Sequence, residues 1–110
     1  MSNQVRPILL GYVRADALGN LTGLARAEAE LQAFADLEEF GLGTVYFEQE
    51  GTSGAFHALM TELSRDEAVL GVVVPDLRHL TLHEQLVLTR HTDAARAAIF
   101  AARDGLRART

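Results

Sequence analysis

Side chains that can bind an anion or attack a phosphate follow three short apolar runs of this sequence. Arg14 and Asp16 follow the first run, Ser53 follows the second, and His79 follows the third. An arginine guanidinium matches phosphate oxygens with two parallel hydrogen bonds, and a serine hydroxyl becomes a nucleophile when a base accepts its proton. Carboxylates and imidazoles serve as acids, bases or metal ligands. These residue types predict anion or phosphate chemistry if the fold brings the three segments together.

The three segments belong to an alternation of short β-type runs and longer helical patterns. Ile8 to Val13 and the continuous, β-branched run from Val69 to Val74 are typical of buried strands. Pro75 ends the latter run, because proline has no N–H to donate to a strand ladder. The full prediction is strands over 8–13, 44–47, 69–74 and 97–102, and helices over 18–40, 56–66 and 81–95.

The predicted helices are amphipathic, and each has an expected buried face. Gly41 to Gly43 are expected to end the first helix, since glycine readily adopts the left-handed cap. Thr81 and Glu84 have the capping-box spacing that starts the third helix. The residues expected to face the core are Leu24, Leu31, Phe34, Leu37 and Phe40 in the first helix, Phe56, Leu59, Met60 and Leu63 in the second, and Leu82, Leu86 and Val87 in the third.

The order β-α-β-α-β-α-β predicts a three-layer α/β/α domain with a mainly parallel sheet of four or five strands, because each parallel pair needs a crossover connection. In such sheets ligands collect at the carboxyl ends of the strands. Asp16, the segment 50–54 and the segment 76–79 all follow predicted strands. We therefore expect them to meet at one edge of the sheet.

Length and composition bound the function. The 110 residues fit one domain, here taken as 1–110, and the formal net charge of -5 disfavours direct binding to DNA. The chain has no cysteine, which excludes thiolate chemistry and cysteine-ligated zinc. No apolar run has the length of a signal sequence or a membrane span, so a soluble cytoplasmic protein is expected. We expect no cofactor and no membrane partner.

The three segments resemble the catalytic domain of the serine recombinases (resolvases and invertases). That family has a Tyr-x-Arg-x-Ser run whose serine attacks DNA, and here Tyr12 and Arg14 are followed by Asp16 at the place of the nucleophile. Glu50 stands where the family usually has an aspartate, and Ser53 and Gly54 match directly. The resemblance implies a resolvase-like sheet with the strand order 2-1-3-4.

The third segment departs from the family at two arginine positions. The family's strand ends in Leu-Asp-Arg-Leu-x-Arg, and here the arginine positions hold His79 and Leu82. Together with Asp16, these replacements imply that the nucleophile and most of the phosphate clamp are missing. No helix-turn-helix module is expected within residues 1–110. The resemblance thus implies a catalytically inactive domain with a regulatory or protein-interaction role, acting with a protein partner or as a homodimer.

Two other functions are compatible with the same residues. The edge formed by Arg14, Asp16, Ser53 and His79 is also suited to bind a small anion or nucleotide in a sensory domain. Alternatively, the chain is an accessory of DNA recombination that reaches DNA through a partner. Asp16 with Asp76 is similar to the acidic pocket of response-regulator receivers, but the chain has no lysine for that family's last strand.

Each candidate residue also has a structural interpretation. Arg14 pairs with Asp16 and Glu50, Asp16 opens a loop, and Ser53 is a helix cap or turn residue rather than a substitute nucleophile. His79, His83 and Glu84 have spacing that a metal site can use, although His79 is expected in the loop before Thr81. The structural interpretation is favoured for each of these residues.

Overall fold

The computed structural model describes residues 6–17, 22–66, 68–95, 98–102 and 106–108. Five strands and three helices form within these ranges, and 3-10 turns follow β1 (Ala15–Ala17) and β3 (Leu77–His79). The strands are β1 (Ile8–Arg14), β2 (Gly41–Glu48), β3 (Val69–Val74), β4 (Ala98–Ala101) and β5 (Leu106–Ala108), and the helices are α1 (Thr22–Leu37), α2 (Gly54–Arg65) and α3 (Leu82–Ala95). No helix among the described residues is both long and apolar enough to cross a membrane.

The strands form one sheet in the order β2-β1-β3-β4-β5. β1 to β4 are parallel, and β5 runs antiparallel to β4 at one side of the sheet. The predicted α/β class and the strand order 2-1-3-4 are confirmed. Because β1, β2 and β3 are parallel neighbours, the segments that follow them leave the sheet at the same edge.

Alternating residues of the strands divide the core into two layers. Leu10 and Tyr12 of β1 belong to a layer that contains apolar residues of α2 and α3. Leu9 and Val13, the intervening residues, belong to the layer beneath α1. Helices thus cover both faces of the sheet, as continuous β-branched strands require. Of the four predicted core residues of α2, Phe56, Leu59 and Leu63 are buried and Met60 is partly buried.

The predicted inward face of α3 is wrong for two of its three residues. Leu82 and Leu86 are exposed, Val87 is partly buried, and among residues 82–90, the part of the helix whose burial is described, the buried side chains are Glu84 and Leu88. At 3.6 residues per turn, Leu82 and Leu86 lie roughly 120° and 160° around the helix from Leu88. Glu84 faces inward because it makes a salt bridge and closes the helix cap. The face of the helix that carries Leu82 and Leu86 is therefore turned to solvent.

The end of α1 also differs from the prediction. The helix stops at Leu37, which is exposed, and Gly41 begins β2 instead of capping the helix. The left-handed residue is Glu39, with a φ of 64°. The N–H of Phe40 donates to the carbonyl of Ala35 at 2.7 Å, which is the six-residue closure of a Schellman cap. Predicted helical positions 18–21 lie outside the described residues.

Candidate functional site

The carboxyl ends of β1, β2 and β3 form a rim made of residues 14–17, 48–54 and 76–84. The first and third segments are joined directly, because the backbone N–H of Arg14 donates to Nδ1 of His79 at 2.9 Å. His79 is only 1% exposed. A ring nitrogen that accepts an N–H carries no proton of its own. Nδ1 of His79 therefore accepts its hydrogen bond from the backbone of β1. His79 lies in the turn before Thr81, which is the place expected for it.

The side chain of Arg14 makes an ion pair with the helix that follows the third segment. Its Nη1 lies 3.5 Å from Oε1 of Glu84, and both side chains are largely buried. Glu84 closes the predicted capping box with Thr81, since each backbone N–H donates to the other's side chain at 3.0 Å. The capping box is confirmed. The expected pairing of Arg14 with Glu50 is replaced by pairing with Glu84, and nothing is described of the Asp16 side chain.

Glu48 is a buried carboxylate that the sequence patterns did not single out. It lies at the end of β2 with 2% exposure and accepts hydrogen bonds from the phenol of Tyr12 at 3.2 Å and from the hydroxyl of Thr52. The backbone N–H groups of Ala55 and Phe56 donate to it at 3.3 and 2.8 Å. These two N–H groups belong to the first turn of α2, which is left without intrahelical partners. Glu48 therefore caps α2 from the neighbouring strand.

The surroundings of Glu48 and Tyr12 keep the carboxyl deprotonated and the phenol protonated. Burial raises the pKa of the Glu48 carboxyl, but the hydrogen bonds from Thr52, Phe56, Ala55 and Tyr12 outweigh burial, and the net pKa is lowered. Burial, followed by the negative charges of Glu84 and Glu48, raises the pKa of the Tyr12 phenol far above its usual range. Tyr12 is thus a permanent donor and Glu48 a permanent acceptor near neutral pH.

Asp76 organises the turn after β3. Its carboxylate accepts from the backbone N–H of Arg78 at 2.9 Å and from Nε and Nη2 of the same residue at 2.9 and 3.1 Å. The hydrogen bonds from the Arg78 side chain, opposed by burial, lower the pKa of Asp76 to about 2. The carboxylate stays ionised and fixes the turn that carries His79.

The other predicted site residues lie on the rim but face solvent. Glu50 and Ser53, in the loop before α2, and Gly54, the first residue of α2, are exposed. Ser53 occupies the N-cap position by its backbone, yet its hydroxyl makes no capping hydrogen bond. Glu48 supplies the cap that Ser53 was expected to supply. Leu82, at one of the two arginine positions implied by the resemblance, is 74% exposed.

No metal site is formed among the residues that the structure describes. His79 is buried with Nδ1 engaged, whereas His83 is exposed on α3 and Glu84 points to Arg14 and Thr81. No three imidazole or carboxylate groups of the described ranges come close enough to hold an ion. The spacing of His79, His83 and Glu84 is therefore a consequence of the turn and cap, not of shared coordination.

The buried polar groups at the rim join its segments to one another or fix its turns. Arg14 and His79 join β1 to the turn and helix that follow β3, and Glu48 joins β2 to β1 and α2. Capping boxes and buried carboxylates satisfy backbone N–H groups that would otherwise be costly to bury. As a chemical site, the described rim offers anchored carboxylates and a paired arginine instead of an arginine cluster open to a phosphate.

Sequence patterns contained part of the signal for this arrangement. The Thr81–Glu84 spacing identifies the cap, but not that the same carboxylate pairs with Arg14, which is 70 positions away. Glu48 lies four positions before Thr52 and eight before Phe56. An acid at the end of a strand and just before a helix is the available signal for such a cap.

Models of known protein families do not match this chain, and comparison with curated proteins gives no significant match. Nothing in these comparisons identifies a serine recombinase domain, so the resemblance stays a prediction from the three sequence segments.

Proposed function

We propose that this chain is a resolvase-like domain that does not cleave DNA and acts through contacts with another protein. The strand order 2-1-3-4 agrees with the fold that the resemblance implies. The observation that carries the proposal is the ion pair between Arg14 and Glu84, in which Glu84 is itself held by Thr81. An arginine already paired with a buried carboxylate is poorly placed to hold a scissile phosphate.

Charge and residue type support the same function. Asp16 brings a carboxylate where the family has its attacking hydroxyl, and a unit negative charge about 4 Å from a phosphate costs about 1–4 kcal/mol at effective dielectric constants between those of water and a protein surface. His79 has its Nδ1 engaged by backbone, and Leu82 has no donor. The net charge of -5 opposes the counterion release that drives non-specific DNA binding. The same paired arginine counts against the small-anion alternative.

The test is incubation with supercoiled plasmid, followed by protease treatment and gel analysis. We expect no nicking, no relaxation and no covalent adduct from the native protein. Asp16→Ser is expected to remain inactive, because it restores the hydroxyl without restoring the arginine positions. A covalent protein–DNA adduct that is lost in Ser53→Ala or in Asp16→Ala would overturn the proposal.

DNA binding is tested separately by fluorescence anisotropy with a labelled duplex at about physiological salt. We expect no measurable affinity. Binding that weakens steeply with added salt and disappears in Arg14→Ala would mean that the rim retains a phosphate site. Glu84→Gln is the variant matched to Arg14→Ala. It removes the charge that pairs with Arg14 and preserves an oxygen for the helix cap.

A further inference from the structure

The hydrogen bond between β1 and the turn after β3 depends on the protonation state of one buried imidazole. The backbone N–H of Arg14 donates to Nδ1 of His79 at 2.9 Å, and His79 is 1% exposed. A neutral imidazole has one nitrogen that accepts, whereas an imidazolium carries N–H groups at both nitrogens and accepts nothing. The contact therefore exists only while His79 is neutral.

The turn that carries His79 has its own hydrogen bonds, which do not depend on the imidazole. The carboxylate of Asp76 accepts from the backbone N–H of Arg78 at 2.9 Å, and the N–H of His79 donates to the carbonyl of Asp76 at 3.1 Å. The pKa of Asp76 is lowered to about 2, so this carboxylate is ionised throughout the range in which imidazoles change charge, about pH 5 to 8. Acid in that range thus acts on the contact with β1 and leaves the turn itself intact.

Charged and titratable side chains occur on each segment around the imidazole. The turn of His79 contacts both β1 and the 3-10 turn that follows β1. The residues are Tyr12 and Arg14 on β1, Asp16 on the turn after it, Asp76 and Arg78 on the turn after β3, and His83 and Glu84 at the start of α3. Tyr12 stays a neutral phenol because burial raises its pKa, and Arg14 is paired with Glu84. The side chain of Asp16 lies outside the described residues.

Asp76 is the described carboxylate that is placed to pair with an imidazolium at position 79. Side chains three residues apart lie on one side of a 3-10 turn. The pKa of Asp76 is lowered first by hydrogen bonds from the Arg78 side chain and, to a smaller extent, by positive charge at His79. The Arg78 side chain is 71% exposed, so water can replace Asp76 around its guanidinium at little cost. Both protonation states of His79 thus have a partner in the structure.

We propose that His79 is an acid-sensitive switch in the rim: the neutral imidazole holds the turn after β3 against β1, and the imidazolium leaves the N–H of Arg14 and pairs with the carboxylate of Asp76. The proton comes from solvent and binds at Nδ1, so the rim gains one positive charge when the contact opens. Because only the open state binds this proton, a fall in pH shifts the equilibrium towards it. The switch changes the shape and charge of the rim, whether or not the rim has a role related to DNA.

The experiment follows the full chain, labelled with ¹⁵N, by NMR from about pH 8 to about pH 4. The imidazole ¹⁵N shifts report which ring nitrogens of His79 carry a proton. Hydrogen exchange, corrected for the intrinsic pH dependence of exchange, reports the opening of the Arg14 N–H. As His79 takes up its second proton, this opening should increase by about tenfold per pH unit, the slope for one proton. The amide of Val72, which lies between β1 and β4, should keep its protection.

Three variants assign the effect to particular groups. His79→Asn keeps an oxygen near the N–H of Arg14 but takes up no proton, so the opening should no longer depend on pH. Asp76→Asn removes the charge that receives the imidazolium and should move the transition to lower pH by about one unit, a tenfold weaker affinity for the proton. His83→Asn is the matched control, since this imidazole is exposed, and it should leave the transition unchanged.

The proposal is overturned if His79 takes up a proton without opening of the Arg14 N–H, or if it stays neutral down to about pH 4. Equal opening at Val72 would overturn it in favour of global unfolding. The same pH dependence in His79→Asn, or an unchanged transition in Asp76→Asn, would overturn it by excluding the imidazole or its second partner. If His79→Asn does not fold, the comparison of His79 protonation with the Arg14 and Val72 amides in the native protein decides alone.

Discussion

The N–H of Arg14 and Nδ1 of His79 are 2.9 Å apart, and this hydrogen bond joins the last residue of β1 to the turn after β3. In the resemblance, both positions belong to the phosphate clamp. Here one supplies a backbone donor and the other a buried acceptor. The contact thus makes both residues part of the domain's internal framework.

Replacing His79 tests whether this contact is structural. His79→Leu should lower the free energy of unfolding by about 1–3 kcal/mol, because the N–H of Arg14 loses its acceptor in a buried setting. His79→Asn should cost less, since an asparagine oxygen can take the place of Nδ1. Urea denaturation of the two variants measures the difference. Equal losses would assign the effect to packing alone.

Glu48 is expected to be a major contributor to stability. Glu48→Gln keeps the size of the side chain but replaces one acceptor oxygen with a donor, which faces donors from Thr52 and α2. The expected loss is about 1.5–3 kcal/mol, the range for hydrogen bonds to charged groups. Glu50→Gln, two residues away and exposed, should stay within about 0.5 kcal/mol. Comparable losses in thermal or urea unfolding would refute the capping role of Glu48.

The Asp76 carboxylate predicts acid sensitivity. Its pKa is lowered from 3.8 to about 2 in the folded protein, so its contribution to stability is present above about pH 4 and is lost as the pH falls towards about 2. Asp76→Asn retains an oxygen for the N–H of Arg78 but cannot ionise. The gap in unfolding free energy between native protein and variant should therefore shrink over this pH range. A gap that is constant from pH 6 to about pH 2 would contradict the prediction.

Replacing Glu39 with glycine should stabilise the folded protein. Its φ of 64° places an L-residue in the left-handed region, which costs roughly 1–2 kcal/mol for residues other than glycine, asparagine and aspartate. Glycine also increases the conformational entropy of the unfolded chain, which offsets part of this gain. Glu39→Gly should therefore raise the free energy of unfolding by about 0.5–1 kcal/mol. Glu38→Gly, with no such φ, should be neutral or destabilising. A higher melting temperature for Glu38→Gly than for Glu39→Gly would exclude this explanation.

Val73 tests the two-layer core. It is fully buried beneath α1, and Val73→Asp would place an unpaired carboxylate there at a cost of several kcal/mol, against a total stability of about 5–15 kcal/mol. We expect this variant to be unfolded by circular dichroism. Leu37→Asp introduces the same group at a 78% exposed leucine and should remain folded. A folded Val73→Asp protein would contradict the assignment of β3 to the centre of the sheet.

Local sequence patterns predict the order of the elements and several of their ends. The β-branched run of β3, the apolar spacing of α2 and the Thr81–Glu84 cap depend on neighbours within a few residues, and local patterns record such neighbours. The strand order followed from the resemblance. The edge at which Arg14, Ser53 and His79 collect followed from the parallel arrangement of the strands.

The contacts of individual side chains depend on segments that are distant in sequence and meet only in the folded protein. Leucines at 82 and 86 have the same hydrophobicity whether they face the core or solvent, and the inward turn of α3 is set by Glu84 meeting Arg14 across 70 positions of chain. Glu48 became a cap because β2 ends beside the first turn of α2. Glu39 has the left-handed conformation because the chain reverses direction just before Gly41, which pairs with β1 in the sheet. Pairings between distant segments leave no local pattern, since the energy that selects them arises only when the sheet has formed.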